Sequence, residues 1–213
     1  MENNNFVLSE KCIKNGPGFP FGVALIRNVQ RKQANKQVEI AKKNTLEDIK
    51  SMDEEIRSNI KIYDSYFKAK GFDCPLPSQF NRTMSNGFSI INRFVDTMFI
   101  SEMSTGLLMG AQDYGKMTGK LLYDLAEEGE CYKGMRGDVV CQKDELVIRD
   151  YEGIIASYFQ GADLRTGITK QTQNVLFFGF GAPGINRQAV QNSLEIAISI
   201  LGSCSEGSEL HMI

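Results

Sequence analysis

Apolar residues recur at three- and four-residue spacing in the segment 89–106, which predicts a helix with one apolar side. The residues on that side are Ile91, Phe94, Val95, Met98, Phe99 and Met103. Ser89 is suited to begin this helix and Gly106 to end it. The short apolar run 107–109 follows and leads into residues 110–113, which predicts a strand with polar groups at its exit.

Two further helices are predicted from the same kind of spacing. One runs from Leu46 to Phe67, with Asn44 or Thr45 as its cap and Gly71 at its end. The other covers residues 185–201 near the end of the chain.

Strands are predicted mainly in the middle of the chain. The apolar run 21–26 is typical of a buried strand, and residues 6–8 of an edge strand. Between residues 121 and 180, turn signals recur every 8 to 12 residues, which indicates an antiparallel sheet. Helices before and after a block of strands give an α+β order. Residues 74–78 (CPLPS) are predicted as a rigid connector, and residues 203–213 as a loose tail.

The size and composition are those of an ordinary soluble protein. The chain has 213 residues, 42% of them apolar and 23% charged, which fits a single domain over residues 1–213. No apolar run approaches the roughly 18 residues that span a bilayer. The N-terminus has neither the basic nor the apolar region of a signal peptide. We therefore expect a cytoplasmic protein with no membrane partner.

The residue types limit the chemistry. The five cysteines are scattered without CxxC spacing, and His211 is the only histidine. Free buried thiols are predicted rather than a disulfide framework or a metal site, and no cofactor is predicted. Chemistry that needs a histidine base is disfavoured within this chain.

The charge restricts how the chain would bind nucleic acid. The net charge is −2 and the pI about 5.6, whereas proteins that bind nucleic acid by electrostatics alone are usually basic. Any contact with RNA must therefore be local. One candidate is the stretch from Arg27 to Lys43, which has six basic residues and one acid; the alternative is a solvated helix face.

Polar residues of the 89–106 helix offer a second candidate. Asn92 and Asp96 lie four residues apart, so they share one face of the helix. This arrangement indicates a hydrogen-bonded pair or a pocket wall. The alternative is that the two side chains satisfy buried backbone groups in neighbouring loops.

The loop 160–172 is the best candidate for chemistry. Its glycines let backbone N–H groups approach a ligand, and its hydroxyl, amide and charged side chains can orient one. Such a loop suits hydrolysis of an activated ester by a positioned water, with donors aimed at the developing oxyanion. A plain surface connection is the alternative. The candidate catalytic residues are Thr169 and Asp163, and the candidate substrate-binding residues are Gly110, Asp113, Gly161, Arg165, Thr166, Lys170 and Thr172.

Several short motifs occur in a characteristic order over about 90 residues of this chain. They are Ile91-Asn92 with Val95-Asp96, the run 106–113, the Gly129-Glu130 turn, the segment 145–150 and the run 161–176. This series resembles the B3/B4 domain, the editing domain in the beta chain of bacterial phenylalanyl-tRNA synthetase, which also occurs as free-standing proteins. The resemblance implies a three-layer fold in which a β-sandwich-like antiparallel core is flanked by helices.

The resemblance also implies an activity. Synthetase editing domains remove tyrosine wrongly attached to phenylalanine tRNA, so this chain would be a free-standing deacylase acting on mischarged tRNA. The family's Gly-Gly-acid stretch, whose acid reads the substrate side chain, corresponds to Gly161-Ala162-Asp163. Synthetase members often have a histidine where this chain has Gly110, and the smaller residue would enlarge the pocket or change what it accepts.

The expected partner is the aminoacylated 3′ end of a tRNA, and a small amino-acid ligand is the second expectation. The alternative function is a non-catalytic module that keeps the fold and binds tRNA, an amino acid or a small acyl ligand. A pure protein-interaction domain is a third option. Arg165 and Lys170 would meet terminal phosphates or be solvated, Asp113 would line the pocket or cap the following helix, and Asp163 would set specificity or stabilise a turn.

Overall fold

The computed structural model describes residues 6–51 and 53–213. The helices are α1 (Glu10–Asn15), α2 (Arg31–Ser51), α3 (Asp53–Ala69), α4 (Pro75–Asn86), α5 (Arg93–Thr105) and α6 (Arg187–Leu201). The strands are β1 (Phe6–Leu8), β2 (Phe21–Arg27), β3 (Leu108–Asp113), β4 (Leu121–Leu125), β5 (Cys131–Gly134), β6 (Gly137–Val140), β7 (Leu146–Asp150), β8 (Gly153–Ser157), β9 (Gly161–Ala162), β10 (Val175–Phe180) and β11 (Gly207–Met212).

The strands form two sheets and a hairpin. One sheet has the order β11-β2-β10-β3 and is antiparallel throughout. The other has the order β1-β4-β7-β8-β9, in which only β1 and β4 pair in parallel. In the first sheet Val175 pairs with Asp113, so the end of β3 lies beside the first residue of β10, shortly after the candidate loop.

The two sheets pack face to face through aromatic side chains. Phe21 of the four-stranded sheet stacks on Tyr123 of the five-stranded sheet, with ring centroids 4.2 Å apart. On the other face of the four-stranded sheet, Gly179 leaves room for Val190 and Leu194 of α6. The β5–β6 hairpin lies against the outer face of the five-stranded sheet. The predicted α+β, three-layer fold with a β-sandwich-like core is therefore confirmed.

Helix α2 begins earlier than the sequence predicts. The prediction places the helix start at Asn44 or Thr45, whereas α2 already begins at Arg31. Its first turns bury Ala34, Val38 and Lys42 at four-residue spacing. Because one member of this buried stripe is a lysine, the apolar pattern does not mark it. The predicted end of the helical region near Gly71 is confirmed, since α3 ends at Ala69.

Helix α5 begins later than predicted. Its N-cap is Asn92 rather than Ser89, and the Asn92 side chain accepts from the backbone N–H groups of Phe94 and Val95, each at 3.0 Å. Asp96 accepts from Ile91 N at 2.9 Å and from the buried Lys42 Nζ at 2.8 Å. The interpretation that these two side chains satisfy nearby backbone groups is the one that the structure shows. The predicted end at Gly106, with a φ of 69°, is confirmed.

Two predicted irregular segments are regular. Residues 74–78 are predicted as a connector, but Pro75 begins α4, since the first helical turn needs no intrahelical N–H donor. Residues 203–213 are predicted as a loose tail, but β11 pairs with β2 along its whole length. Leu210 and Met212 are two residues apart in β11 and both pack against the hydrophobic core. This two-residue spacing is the signal that the prediction overlooked.

The surface and the thiols complete the description. No helix in residues 6–51 or 53–213 has the length and apolar character needed to cross a bilayer. All five cysteines are free thiols; three of them, Cys12, Cys141 and Cys204, are buried, and Cys131 is exposed.

One buried acid carries a pH dependence. Glu102 of α5 is fully buried, and its Oε1 accepts from the backbone N–H of Met109 at 3.0 Å. Its Oε2 has no hydrogen-bond partner among the described residues. Burial raises the pKa of Glu102 from 4.5 to about 8. Between these values the folded chain holds a proton that the unfolded chain releases, so stability falls as pH rises.

We expect Glu102→Gln to remove this part of the pH dependence. A glutamine still accepts from Met109 N but does not ionise. From pH 5.5 to 7.5 the wild type should lose roughly 2–3 kcal/mol of unfolding free energy that the variant keeps. Urea unfolding at the two pH values measures this, with the exposed Glu128→Gln as the matched control. An equal pH dependence in wild type and Glu102→Gln would contradict the account.

Candidate functional site

The candidate loop is fastened at two points to the end of β3. Gln112 and Asp113 are adjacent in the strand, so their side chains point to opposite faces of the sheet. Gln112 Nε2 donates to Asp163 Oδ1 at 3.2 Å, and Thr172 Oγ1 donates to Asp113 Oδ2 at 2.6 Å. The backbone N–H of Asp113 also donates to the carbonyl of Thr166 at 2.8 Å. The end of β3 and the candidate loop, which are far apart in the sequence, therefore lie side by side.

Asp163 organises the first half of the loop. Its Oδ1 accepts from the backbone N–H of Thr166 at 3.1 Å and from the Thr166 hydroxyl. The side chain is buried, and burial raises its pKa. Its carboxylate is thus placed to stabilise a turn, which was one of the two predicted roles.

Arg165 is held in an ion pair. Its guanidinium donates to both carboxylate oxygens of the buried Asp150, at 2.7 and 3.0 Å, and to the carbonyl of Lys116 at 3.1 Å. A bidentate pair of this kind fixes the planar guanidinium in orientation. Arg165 therefore faces a protein carboxylate rather than open solvent.

The two predicted glycines differ in their surroundings, since Gly161 is exposed and Gly110 is packed against an aromatic ring. The carbonyl of Gly161 accepts from the Tyr132 hydroxyl at 2.7 Å. Gly110 faces the five-stranded sheet, and a Cβ there would lie 3.2 Å from the ring of Phe178. Gln112, the next residue on that face of β3, is buried and donates to Asp163. Gly110 therefore lies against Phe178, two residues before the strand position that contacts Asp163.

An open cleft lies beside the second half of the loop. Its volume is about 820 Å³. It is lined by Asn28, Val29, Gln30, Arg31, Arg93, Lys170, Gln171, Thr172, Gln173 and Glu206. Two predicted residues, Lys170 and Thr172, belong to this lining. Thr169 is exposed beside it, and its backbone N–H donates to Thr172 Oγ1 at 2.9 Å. Thr169 and Asp163 share no hydrogen-bond partner in the described part of the chain.

The cleft is basic and polar. Arg31, Arg93 and Lys170 contribute positive charge, and Glu206 is the acid in the lining. Arg93 is only 8% exposed, and its Nη2 donates to the carbonyl of Thr172 at 2.6 Å. Burial, and then the nearby charge of Arg31, lower the pKa of Arg93. The cleft can therefore attract and hold an anionic group.

Some residues of this lining were not predicted as site residues from the sequence. Arg31 lies within the basic stretch 27–43, which the sequence had marked as a local RNA candidate. Arg93 directly follows the N-cap Asn92. A charged side chain in the first turn of a helix is usually expected to contact solvent. Glu206 falls in the predicted tail. Within the described residues, no group of three or more His, Cys, Asp or Glu side chains is placed to hold a metal ion.

Comparison with known proteins identifies the family. A family model described as the B3/4 domain matches residues 74–201, more than half of the chain. This chain belongs to the B3/4 domain family. The match runs from α4 to α6 and includes Arg93 and the loop, but not the segment 28–31 or Glu206. The family expected from the sequence is confirmed.

A solved structure supports the fold. The chain is similar to an N-terminal fragment of the phenylalanyl-tRNA synthetase beta-subunit from Pyrococcus horikoshii, with a TM-score of 0.52 and 11% sequence identity. The alignment covers 98% of this chain and 50% of that one, so this chain spans about half the length of that fragment. At this identity the likeness concerns the fold alone. No curated protein matches the sequence.

We expect Thr172→Val to loosen the loop. The variant keeps the shape of the side chain but leaves the buried Asp113 carboxylate and the Thr169 N–H without the hydroxyl. It should lower the unfolding free energy by about 1–3 kcal/mol and speed amide exchange in residues 169–172. Denaturant unfolding and hydrogen exchange measure these effects. Thr172→Ser keeps the hydroxyl and is the control; equal stability of the two variants would rule out the role of this contact.

Proposed function

We propose that this chain binds the aminoacylated 3′ end of a tRNA through the basic cleft and the adjoining N-terminal half of α2. The observation that carries the proposal is the concentration of positive charge in one place on an acidic chain. Affinity for nucleic acid comes chiefly from Lys and Arg near phosphates, so a local patch is sufficient for weak binding.

Helix α2 extends this charge beyond the cleft. Its exposed basic side chains include Arg31, Lys32, Lys36 and Lys43. The acid in this region, Glu39, pairs with Lys42 Nζ at 3.0 Å and is thereby partly neutralised. The likeness to a phenylalanyl-tRNA synthetase fragment supports a tRNA as the RNA concerned.

Hydrolysis of the aminoacyl ester is the second candidate. It is favoured by the contact of the loop with the end of β3, since this contact brings candidate residues of both segments together. Binding ranks first because the acids near the cleft already have partners. Asp163 accepts from Thr166 and Gln112, Asp113 accepts from Thr172, and Glu206 accepts from Asn28 Nδ2 at 2.7 Å.

The binding proposal predicts a specific salt dependence. Lys32 and Lys36 lie on one face of α2 and contact solvent, so replacing both with glutamine should leave the fold intact. The slope of log K against log salt for tRNA should become shallower by about 2, and the affinity should fall. Fluorescence anisotropy with labelled tRNA measures both quantities.

The matched control for that experiment is Lys120→Gln combined with Lys143→Gln, two exposed lysines outside α2 and the cleft. This control should bind tRNA as the wild type does. Equal losses in the two double variants, or no binding of tRNA even at low salt, would refute the proposal.

The hydrolysis candidate predicts release of an amino acid from at least one mischarged tRNA. Thr169→Ala should then reduce turnover about tenfold or more, while tRNA affinity stays unchanged, because Thr169 is exposed and outside the core. Ser58→Ala, an exposed hydroxyl on α3, is the control. If no mischarged tRNA in a full panel is hydrolysed, the chain binds without catalysing and the second candidate is discarded.

A further inference from the structure

The cleft contains a buried cation whose donors are only partly used. Arg93 lies within α5 and contacts the Phe94 ring with its guanidinium carbon 4.3 Å from the ring centroid. One nitrogen donates to Thr172, but Nε has no hydrogen-bond partner among the described residues. No carboxylate in that part of the chain forms an ion pair with Arg93. A buried arginine with a free donor and no counter-charge is costly unless something else supplies the partner.

A second set of donors begins at Arg31, which lines the same cleft. Helix α2 begins at Arg31 with no acid in its first turn, and its first intrahelical backbone bond runs from Ala34 N to Gln30 O. In the described residues, no backbone acceptor serves the N–H groups of Arg31, Lys32 and Gln33. These N–H groups lie at the positive end of a 21-residue helix.

Two backbone hydrogen bonds hold that helix end in place, one to the residue directly after the loop and one to the segment after α6. The backbone N–H of Val29 donates to the carbonyl of Gln173 at 2.9 Å, and that of Gln30 to the carbonyl of Cys204 at 2.7 Å. The start of α2 and the end of the candidate loop therefore form one wall of the cleft. The free donors and the buried Arg93 are thus parts of one rigid arrangement.

We propose that this cleft is a phosphate-binding site formed by Arg93, Arg31, Lys170 and the first turn of α2. A phosphate group offers several acceptor oxygens and up to two negative charges, which match three cations and a helix N-terminus. The lining acid, Glu206, keeps its charge while it accepts from Asn28. One negative charge offsets only part of the three positive charges, so the lining stays basic. The site extends beyond the proposed function, since a phosphate needs no tRNA around it.

The phosphate comes either from the backbone of an RNA 3′ end or from a small free phosphate compound. Both sources can be tested on the full chain by ¹H–¹⁵N NMR of the arginine Nε–H groups. The probes are sodium phosphate, adenosine monophosphate and a single-stranded RNA ending in CCA, with sodium chloride at matched ionic strength as the blank. We expect a saturable shift of the Arg93 Nε–H signal with phosphate and none with chloride.

Variants identify the residues involved. Arg31→Gln and Lys170→Gln change exposed side chains, so each should fold normally and weaken phosphate binding about tenfold, the effect of losing roughly 1.4 kcal/mol. Lys143→Gln, an exposed lysine away from the cleft, should leave binding unchanged. Arg93→Lys assigns the Nε–H signal by its disappearance.

The outcomes separate the sources and the two proposals. Tighter binding of the RNA than of adenosine monophosphate supports the site with RNA as the source, and binding of the small compounds alone supports it with a free phosphate as the source. The absence of a saturable Arg93 shift, or equal weakening by Lys143→Gln, overturns the site. Phosphate binding without tRNA binding would support this site and contradict the proposed function. Binding of tRNA without binding of phosphate would support the proposed function and contradict this site.

Discussion

The hydrogen bonds between the end of β3 and the loop that precedes β10 are the contacts on which the rest of the site depends. Asp113 accepts from the Thr172 hydroxyl on one face of the sheet, while Gln112 donates to Asp163 on the other. These bonds orient the carbonyl of Thr172, which is the group that receives Arg93. Without them the loop would have no defined relation to α5, and the cleft would lose its inner wall.

A buried ion pair between α2 and α5 fixes the position of these two helices relative to each other. Lys42 of α2 and Asp96 of α5 meet at 2.8 Å, and both side chains are less than a tenth exposed. This pair joins the two helices whose first turns carry Arg31 and Arg93, so it keeps two like charges close together on a chain with a net negative charge. Positive side chains that the fold holds close together despite their repulsion are typical of a site that binds an anion.

The extent to which the sequence predicts this structure follows from the range of the interactions. Local signals sufficed for β2, β10 and the end of α5 at Gly106, because each depends on neighbours within a few residues. The order of motifs led to the B3/4 family. The burial of Arg93 was not predictable in this way, since it depends on a carbonyl 79 residues away. The pairing of Gly110 with Phe178 across two strands is likewise a tertiary property, so the contact of Gly110 with that ring could not be predicted from local sequence.

The central claim is that the cleft beside Arg93, and not the space between Gly110 and Asp163, receives the anionic end of an RNA. A crystal structure with a short RNA hairpin that carries a non-hydrolysable aminoacyl 3′ end tests it most directly. The account predicts a phosphate within hydrogen-bond distance of the Arg93 guanidinium and the first turn of α2. An RNA end bound on the five-stranded sheet, or inserted between the two sheets beside Gly110, would contradict it.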